Sequence, residues 1–219
     1  MSEIGEGRLP GVYTDGERLF TRNLVPGERV YGERLFTQGG TEYREWNPRR
    51  SKLAAYIMLG GEYLPFSGES RVLYLGAASG TTASHVSDLV PRGTVYCVEF
   101  SRRAFRDLVG VCESRGNMVP ILADASLPSG FGFALDRADC VYQDIAQRGQ
   151  VDILCRNMRF FRSRRALLAL KSRSEDVSVS PRRIFQRAEK RLLQEGMRVE
   201  DLRPLDPYER DHAMIGVSR

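Results

Sequence analysis

The fold is decided by the run Arg71-Val72-Leu73-Tyr74-Leu75-Gly76-Ala77-Ala78-Ser79-Gly80-Thr81-Thr82. Its first five residues are mostly apolar and predict a buried strand. The residues after Leu75 are small, so a ligand can approach the backbone there, at the N-terminus of the helix that follows. A buried strand that passes through such a turn into a helix is typical of an α/β protein with a parallel sheet.

Strand-like and helix-like segments alternate on the C-terminal side of this run. The predicted strands are Arg71–Leu75, Val95–Val98, Val119–Leu122, Cys140–Gln143 and Ala166–Leu170. The predicted helices are Thr82–Leu89, Arg102–Arg115, Val151–Phe161 and one that begins at Ser180-Pro181 and ends before Gly196. Strands joined by helical crossovers predict a doubly wound parallel sheet. Met197–Glu200 and Ala213–Val217 predict two final strands without another crossover.

The first fifty residues differ from the rest because they contain a repeat set among turn formers. The hexapeptide Gly16-Glu17-Arg18-Leu19-Phe20-Thr21 recurs as Gly32-Glu33-Arg34-Leu35-Phe36-Thr37. Asp-Gly, Pro-Gly and Gly-Gly pairs surround both copies, which predicts short antiparallel β-hairpins. A sheet this small needs a neighbour to pack against.

A helix is predicted to follow, because Asn47 is a good N-cap residue and Pro48 suits the first helical position. In that helix Lys52 lies near the edge of the buried stripe. We therefore predict a small N-terminal antiparallel β domain, residues 1–46, and a Rossmann-like domain, residues 47–219.

Composition excludes several classes of protein. The 219 residues are 42% hydrophobic and 28% charged with a net charge of +5, which excludes intrinsic disorder. The N-terminus carries acids where a signal peptide needs bases, and no apolar run approaches the ~18 residues of a membrane span, so we expect a cytoplasmic protein without membrane contact. Four widely spaced cysteines and two histidines give no metal-site pattern, so any chemistry is predicted to use an organic cofactor or none.

Acidic residues follow three successive strands of the predicted sheet. The second strand ends in Glu99-Phe100, the third in Asp124-Ala125 and the fourth in Asp144-Ile145-Ala146-Gln147. Ligands of doubly wound sheets bind beyond the carboxyl ends of the strands, where Glu99 is placed to accept hydrogen bonds from a ribose diol. Acids at all three positions suit a cationic cofactor without phosphate. With Gly76 and Ala78 in the first turn, they predict a site for S-adenosylmethionine.

A nicotinamide cofactor is the alternative at this turn. It predicts the pattern Gly-x-Gly-x-x-Gly, whereas this chain has Gly76-x-Ala78-x-Gly80 followed by Thr81-Thr82. Each acid taken singly is also explained as a helix N-cap. The small-residue turn together with three acids favours the sulfonium cofactor over both explanations.

Four longer runs carry a resemblance to a known family. They are Trp46-Asn47-Pro48-Arg49-Arg50-Ser51-Lys52-Leu53-Ala54-Ala55, the stretch from Tyr74 to Asp88, Val141-Tyr142-Gln143-Asp144-Ile145-Ala146-Gln147 and Pro207-Tyr208-Glu209-Arg210-Asp211-His212-Ala213. On these runs the chain resembles fibrillarin in its short archaeal form, over nearly its whole length. The resemblance implies a class I S-adenosylmethionine-dependent methyltransferase fold. It also implies 2′-O-methylation of ribose in rRNA and tRNA, directed by a box C/D guide RNA. The implied partners are guide and target RNA, a Nop-family scaffold protein and a kink-turn-binding protein of ribosomal type.

The resemblance also assigns site residues. It implies cofactor contacts at Thr81, Thr82, Glu99, Phe100, Asp124, Ala125 and from Asp144 through Ile145 and Ala146 to Gln147. The family's Lys-Asp-Lys-His set falls on Lys52, Asp144, Lys171 and His212. This chain departs from the family pattern at Arg49, where an aromatic residue is usual, and at Glu175, where an apolar one is usual. It also has Arg162-Ser163-Arg164-Arg165 in place of a glycine-rich turn.

Positive charge is concentrated in one segment, which points to RNA. From Val151 to Glu195 there are twelve Lys and Arg against five Asp and Glu. Arg-rich surfaces suit phosphate binding, although solvated helix faces give the same composition. Some arginines of the Arg156–Arg165 group, together with Arg49 and Arg50, are candidate RNA contacts, and others face the scaffold protein in this interpretation. A noncatalytic subunit of an RNA–protein particle and a nicotinamide-dependent oxidoreductase remain as alternative functions.

Overall fold

An antiparallel five-stranded sheet forms the N-terminal part of the protein. The computed structural model describes residues 3–219, so Met1 and Ser2, which belong to the acidic N-terminus considered above, lie outside the described residues. The strands are β1 (Gly5–Glu6), β2 (Val12–Thr14), β3 (Leu19–Arg22), β4 (Leu35–Gln38) and β5 (Thr41–Trp46), in the spatial order β1-β2-β3-β5-β4. The two copies of the hexapeptide supply β3 and β4, which flank β5 on its two sides.

A seven-stranded sheet forms the rest of the core and confirms the predicted α/β fold. Its strands are β6 (Arg71–Leu75), β7 (Thr94–Glu99), β8 (Met118–Leu122), β9 (Cys140–Gln143), β10 (Arg165–Lys171), β11 (Arg198–Pro204) and β12 (His212–Ser218). The spatial order is β11-β12-β10-β9-β6-β7-β8. The five strands from β8 to β10 are parallel, and β12 runs antiparallel to both β10 and β11. The last two strands therefore form a hairpin, as predicted.

Helices cover both faces of this sheet. They are α1 (Lys52–Met58), α2 (Thr81–Leu89), α3 (Arg102–Ser114), α4 (Gln150–Phe160), the short α5 (Ser172–Glu175) and α6 (Pro181–Gln194). Along β6, Val72 and Tyr74 pack into the core on the face of α1, α2 and α3, whereas Leu73 and Leu75 pack on the face of α4 and α6. Burying a side chain of this size contributes about 1.5–3 kcal/mol, and burial on both faces explains why the strand is a continuous apolar run.

The first helix begins later than predicted. Asn47 does not cap it; the Asn47 side chain accepts a hydrogen bond from the Arg49 backbone N–H within a turn. Ser51 is the N-cap, and its hydroxyl accepts a hydrogen bond from the backbone N–H of Ala54. Lys52 is therefore the first residue of α1 and lies half-buried, as its predicted place near the edge of the buried stripe implies. The division of the chain at residue 46 stays a prediction.

A buried cluster of charged side chains joins the five-stranded sheet to α2. Asp88 accepts hydrogen bonds from Arg44 of β5 at 2.9 Å and from Arg115 at 2.7 Å, and Arg44 also pairs with Glu33 at 2.6 Å. The side chains of Arg44, Asp88 and Arg115 have no solvent exposure. Buried ions persist only when each has a partner, so this cluster fixes how the N-terminal sheet sits on α2.

We expect Asp88→Ala to lower the free energy of unfolding by about 3–5 kcal/mol, because it leaves two arginines buried without their shared carboxylate. Chemical denaturation at neutral pH measures this. The matched control is Asp107→Ala on the exposed side of α3, where a change within about 0.5 kcal/mol is expected. Equal effects at the two positions would contradict the buried ion cluster.

Beside this cluster lies His85, which is fully buried on α2. The His85 ring stacks on Trp46 at 5.0 Å, and its nitrogens lie 2.8 Å from the Thr21 hydroxyl and 2.9 Å from the Tyr31 hydroxyl. Burial, and then the nearby charges of Arg44 and Arg115, hold the pKa of His85 well below its ordinary value. The imidazole is therefore neutral in the folded protein.

Stability is consequently expected to fall as the pH drops below about 6.5. There the unfolded chain takes up a proton at His85 that the folded protein does not, so the loss approaches ~1.4 kcal/mol per pH unit. Denaturation curves between pH 7.5 and 5 test this, with His85→Gln expected to flatten the pH dependence. An unchanged slope in that variant would contradict the assignment to His85.

Candidate active site

A cleft lies at the carboxyl ends of the central strands, where the sequence predicts the cofactor. Its volume is about 290 Å³. It is lined by Gly76, Ala78, Val98, Glu99, Phe100, Ala123, Asp124, Ala125, Asp144, Ile145, Ala146 and Gln147. Ten of these were predicted as cofactor contacts, and the apolar Val98 and Ala123 were missed because they are ordinary strand-end residues in sequence.

Gly76 shapes the floor of the cleft. Its backbone has φ +83°, and a Cβ atom there would lie 2.3 Å from the carbonyl oxygen of Asp144. Both Gly76 and Ala77 donate backbone hydrogen bonds to the carbonyl of Val98. The turn after β6 is thus drawn against the ends of β7 and β9, in a conformation that only glycine adopts at this position.

The acids of the cleft are held by backbone amides. Glu99 accepts hydrogen bonds from the N–H groups of Ala78 and Ser101, at 2.8 Å and 2.7 Å, and Asp124 accepts one from Ser126 at 2.8 Å. Beside Glu99, the Phe100 ring is 74% exposed and is free to cover a ligand. Among the described residues, three acids and no lysine or arginine line the cleft. This donor set fits a nucleoside with a cationic centre and does not fit a pyrophosphate.

The threonines predicted as cofactor contacts do not line this cleft. Thr81 and Thr82 open α2, and Thr82 is buried. Its hydroxyl donates to the Ser51 hydroxyl at 3.1 Å, so it ties the first turn of α2 to the N-cap of α1. The sequence pattern does not reveal the orientation of Thr82. A cofactor contact and a hydrogen bond to Ser51 both favour a small hydroxyl residue after the glycine-rich turn.

Lys52 and Asp144 meet next to the cleft. The Lys52 Nζ lies 3.0 Å from both carboxylate oxygens of Asp144, and each side chain is 21% exposed. The pair joins the first residue of α1 to the residue that follows β9, 92 positions later in the chain. A carboxylate in this geometry fixes the position of the amine while leaving both groups accessible from solvent.

His212 and Lys171 lie on neighbouring strands, directly opposite each other in the β10–β12 register. The His212 Nδ1 lies 2.6 Å from the carbonyl oxygen of Arg210, which fixes the ring. Burial lowers the pKa of His212, the bond to Arg210 opposes that shift, and the charge of Lys52 lowers the pKa further. The Lys171 backbone is anchored at both its N–H and its carbonyl by the Gln150 amide.

Two buried tyrosines beneath Asp144 were missed by the sequence analysis. The rings of Tyr74 and Tyr142 lie 4.6 Å apart on adjacent strands. Burial and the charge of Asp144 hold the pKa of Tyr74 well above its ordinary value, and the pKa of Tyr142 is raised as well, by burial, by Tyr74 and by Asp144. Both phenols are therefore neutral, and the buried Tyr142 hydroxyl has no hydrogen-bond partner among the described residues. In sequence they are indistinguishable from other aromatic strand residues.

The departures from the family pattern around Lys171 have local explanations. Glu175 accepts hydrogen bonds from the backbone N–H groups of Gly149 and Gln150, so it caps the N-terminus of α4. Arg162 has φ +53°, the left-handed conformation for which a glycine-rich turn would be suited. Glu175 therefore caps a helix and Arg162 forms a turn. Neither residue moves β10 away from its predicted position.

Much of the positive charge between Val151 and Glu195 is exposed, and several of the arginines there already have partners within the protein. Arg191 pairs with Asp152 and Glu195, and Arg159 also contacts Glu195. Arg156 donates to the backbone carbonyl of Ser126. The role of this segment in binding RNA stays a prediction.

The described residues form neither a membrane-spanning helix nor a metal-binding cluster. Within residues 3–219, no helix has the length and apolar character that a membrane crossing requires. In the same part of the chain, no group of three or more His, Cys, Asp or Glu side chains is arranged to hold a metal ion. All four cysteines are free and buried.

The chain is similar to one family of known proteins over nearly its full length. The family model described as Fibrillarin matches residues 5–219. The fibrillarin-like rRNA/tRNA 2′-O-methyltransferase of Methanopyrus kandleri is 48% identical over 214 residues, which cover 96% of this chain and 92% of that protein.

Solved structures agree with this match. The crystal structure of Aeropyrum pernix fibrillarin in complex with natively bound S-adenosyl-L-methionine has a TM-score of 0.88 and 47% identity, covering 99% of this chain and 100% of that one. A crystal structure of a fibrillarin/Nop5p complex has a TM-score of 0.88 and 39% identity, covering 96% of this chain and 98% of that one.

Proposed function

This chain belongs to the fibrillarin family, and from that premise we propose that it is a methyltransferase that moves the methyl group of S-adenosylmethionine to ribose 2′-hydroxyls of rRNA and tRNA. The observation that carries the proposal is the Lys52–Asp144 pair at the edge of an acidic, small-residue cleft. The cleft suits the donor, and the pair suits a reaction in which a hydroxyl loses its proton. The cleft does not support a nicotinamide-dependent oxidoreductase, because the acids that line the cleft would repel the pyrophosphate of a nicotinamide dinucleotide.

In this proposal the cleft residues bind and orient the cofactor. Bound there, S-adenosylmethionine supplies a methyl group activated by its sulfonium. Glu99 accepts hydrogen bonds from the ribose diol, Phe100 covers the adenine and Asp124 accepts from the adenine amine. The glycine-rich turn at Gly76 gives the cofactor access to the backbone. The Thr82 hydroxyl supports the turn through its hydrogen bond to Ser51, and Thr81, the first residue of α2, is proposed as a further cofactor contact.

The catalytic set is proposed to be Lys52, Asp144, Lys171 and His212. A ribose hydroxyl is a weak nucleophile, so most of the acceleration comes from holding it in line with the methyl group, and proton removal adds to it. Asp144 orients the Lys52 amine, and the role assigned to the neutral His212 ring is to position the amine or the sugar. As the 2′-oxygen takes up the methyl group, its proton passes to one of these four side chains.

The finer proposal concerns how the target is chosen. The sequence contains no stacked-aromatic RNP motif for base reading. RNA held by charge and shape alone is bound without sequence preference. We infer that a box C/D guide RNA pairs with the target, and that a Nop-family scaffold and a kink-turn-binding protein hold the enzyme on it. The solved fibrillarin/Nop5p complex supports the scaffold as a partner.

Reconstitution tests this proposal. The chain is combined with a box C/D guide RNA, the scaffold, the kink-turn-binding protein, a complementary target and S-adenosylmethionine. Resistance to alkaline cleavage at the guided nucleotide is the expected result, because a methylated 2′-oxygen cannot attack the phosphate. Omission of the guide is expected to abolish the signal. Methylation of a base, or guide-independent methylation by the isolated chain, would contradict the proposal.

A further inference from the structure

Two arginines stand directly before the N-cap of α1. Arg49 and Arg50 precede Ser51 and lie within three residues of Lys52, so each backbone position is at most ~11 Å from the catalytic lysine along the chain. Both side chains are exposed. The ion pairs formed within residues 3–219 include neither of them, in contrast to Arg44, Arg173 and Arg191. Both guanidinium groups are therefore available to an external anion.

Each of these arginines lies within cation–π distance of an aromatic ring. The Arg49 Cζ lies 5.9 Å from the ring centre of Tyr208, and the Arg50 Cζ lies 5.8 Å from that of Tyr31. Tyr208 belongs to the segment that leads into His212, whereas Tyr31 belongs to the N-terminal part of the chain. A guanidinium within cation–π distance of a ring still has N–H donors, which can bind phosphate bidentately.

The ring under Arg50 is fixed. The Tyr31 hydroxyl lies 2.9 Å from both the Glu45 carbonyl oxygen and the His85 Nε2, and burial raises the pKa of Tyr31 to about 12. Tyr31 and Arg50 line a pocket of about 350 Å³ together with Arg34, Asn47 and the carboxylates of Glu33 and Glu45. That volume is in the range of small-ligand sites, and the lining offers both hydrogen-bond donors and acceptors.

We propose that Arg49 and Arg50 bind backbone phosphates on the two sides of the ribose presented to Lys52 and Asp144, and that the pocket at Arg50 receives a nucleotide next to the methylated one. This inference rests on the proposed RNA methylation. The position of the two arginines next to Lys52 favours the substrate RNA strand over a protein partner as their ligand, because that strand must reach Lys52 and Asp144 in every turnover. We call Arg49 and Arg50 the arginine clamp. The fibrillarin resemblance implies an aromatic residue at position 49, so the contact made by Arg49 is expected to be particular to this chain.

The test compares Arg49→Gln, Arg50→Gln and the double variant with Arg92→Gln in the reconstituted particle. Arg92 is a matched control because it is 71% exposed and precedes β7, at the opposite end of the sheet from the cleft. Each clamp variant is expected to raise the KM for target RNA about tenfold, the loss of one charge-assisted contact, with kcat changed less than about twofold. The slope of log Kd against log salt should fall by ~0.7 per arginine removed. Arg92→Gln should change neither quantity.

Each other outcome overturns the clamp. An unchanged KM and salt slope would show that the arginines do not contact RNA, and an equal effect of Arg92→Gln would show a diffuse charge effect. A fall in kcat alone would mean that they only position α1. Weaker scaffold binding with an unchanged KM would assign them to a protein interface. Wild-type particle is measured in the same series, so absence of ribose methylation there would count against the proposed function instead.

Discussion

The Asp144→Ala particle is expected to methylate its target about 100-fold to 10,000-fold more slowly than wild type, the range for loss of a positioned proton-transfer group. Asp144 holds the Lys52 amine at 3.0 Å with both carboxylate oxygens, and no other described acid makes that contact. Without it, the amine loses its fixed position beside the cleft. Single-turnover methyl transfer at saturating S-adenosylmethionine is the measurement, because it separates the chemical step from cofactor binding.

Two comparisons make this result interpretable. Asp144→Asn keeps the side-chain shape and is expected to show a similar loss, which would exclude a packing defect. Asp136→Ala removes a carboxylate that is 89% exposed beside Arg71, at the other end of the sheet, and should transfer methyl groups at the wild-type rate. Unchanged transfer by Asp144→Ala would show that the chain is a noncatalytic subunit and that the catalytic group lies elsewhere in the particle.

Gly76→Ala is expected to weaken S-adenosylmethionine binding by at least ~100-fold. The added Cβ would lie 2.3 Å from the Asp144 carbonyl oxygen, and φ of +83° is strained for alanine, so the turn must move away from β9. Moving it distorts the cleft floor and the backbone of the catalytic aspartate together. Isothermal titration with S-adenosylmethionine measures the effect on the folded variant.

Gly60→Ala is the matched control for backbone strain. Gly60 has the same φ of +83°, but a Cβ there would meet only the Arg203 side chain, at 3.8 Å. It should lose stability by about 1 kcal/mol while binding the cofactor normally. Normal binding by Gly76→Ala, with thermal stability equal to that of Gly60→Ala, would contradict the cofactor site.

The large sheet could be predicted from sequence because its strands are buried on both faces. Such strands are apolar runs, and β6, β7 and β9 were located within two residues of their bounds for that reason. The acids of the cleft could be predicted by the same logic, since each directly follows a strand of a parallel sheet. The start of α1 could not, because Asn47 and Ser51 are both good caps and only the contact of Ser51 with Thr82 selects between them.

Contacts between distant parts of the chain were beyond sequence reasoning. Nothing in the composition of α2 indicates that His85 stacks on Trp46, or that Asp88 serves arginines from two different elements. The orientation of Thr82 and the place of Tyr142 under Asp144 depend on how helices settle on the sheet. The Lys52–Asp144 pairing was accessible only through the family resemblance, because residues 92 positions apart carry no local pattern.

The short path from Trp46 to Lys52 couples the N-terminal sheet to the lysine proposed to be catalytic. Five residues separate Trp46, which stacks on His85, from Lys52, the first residue of α1. The start of α1 is hydrogen-bonded to α2 through Ser51 and Thr82. The backbone of Lys52 is therefore tied to the N-terminal sheet, while Asp144 holds its amine. Deleting the small sheet would thus displace Lys52 as well as lower the stability of the protein. A partner that binds the sheet would also constrain the position of Lys52.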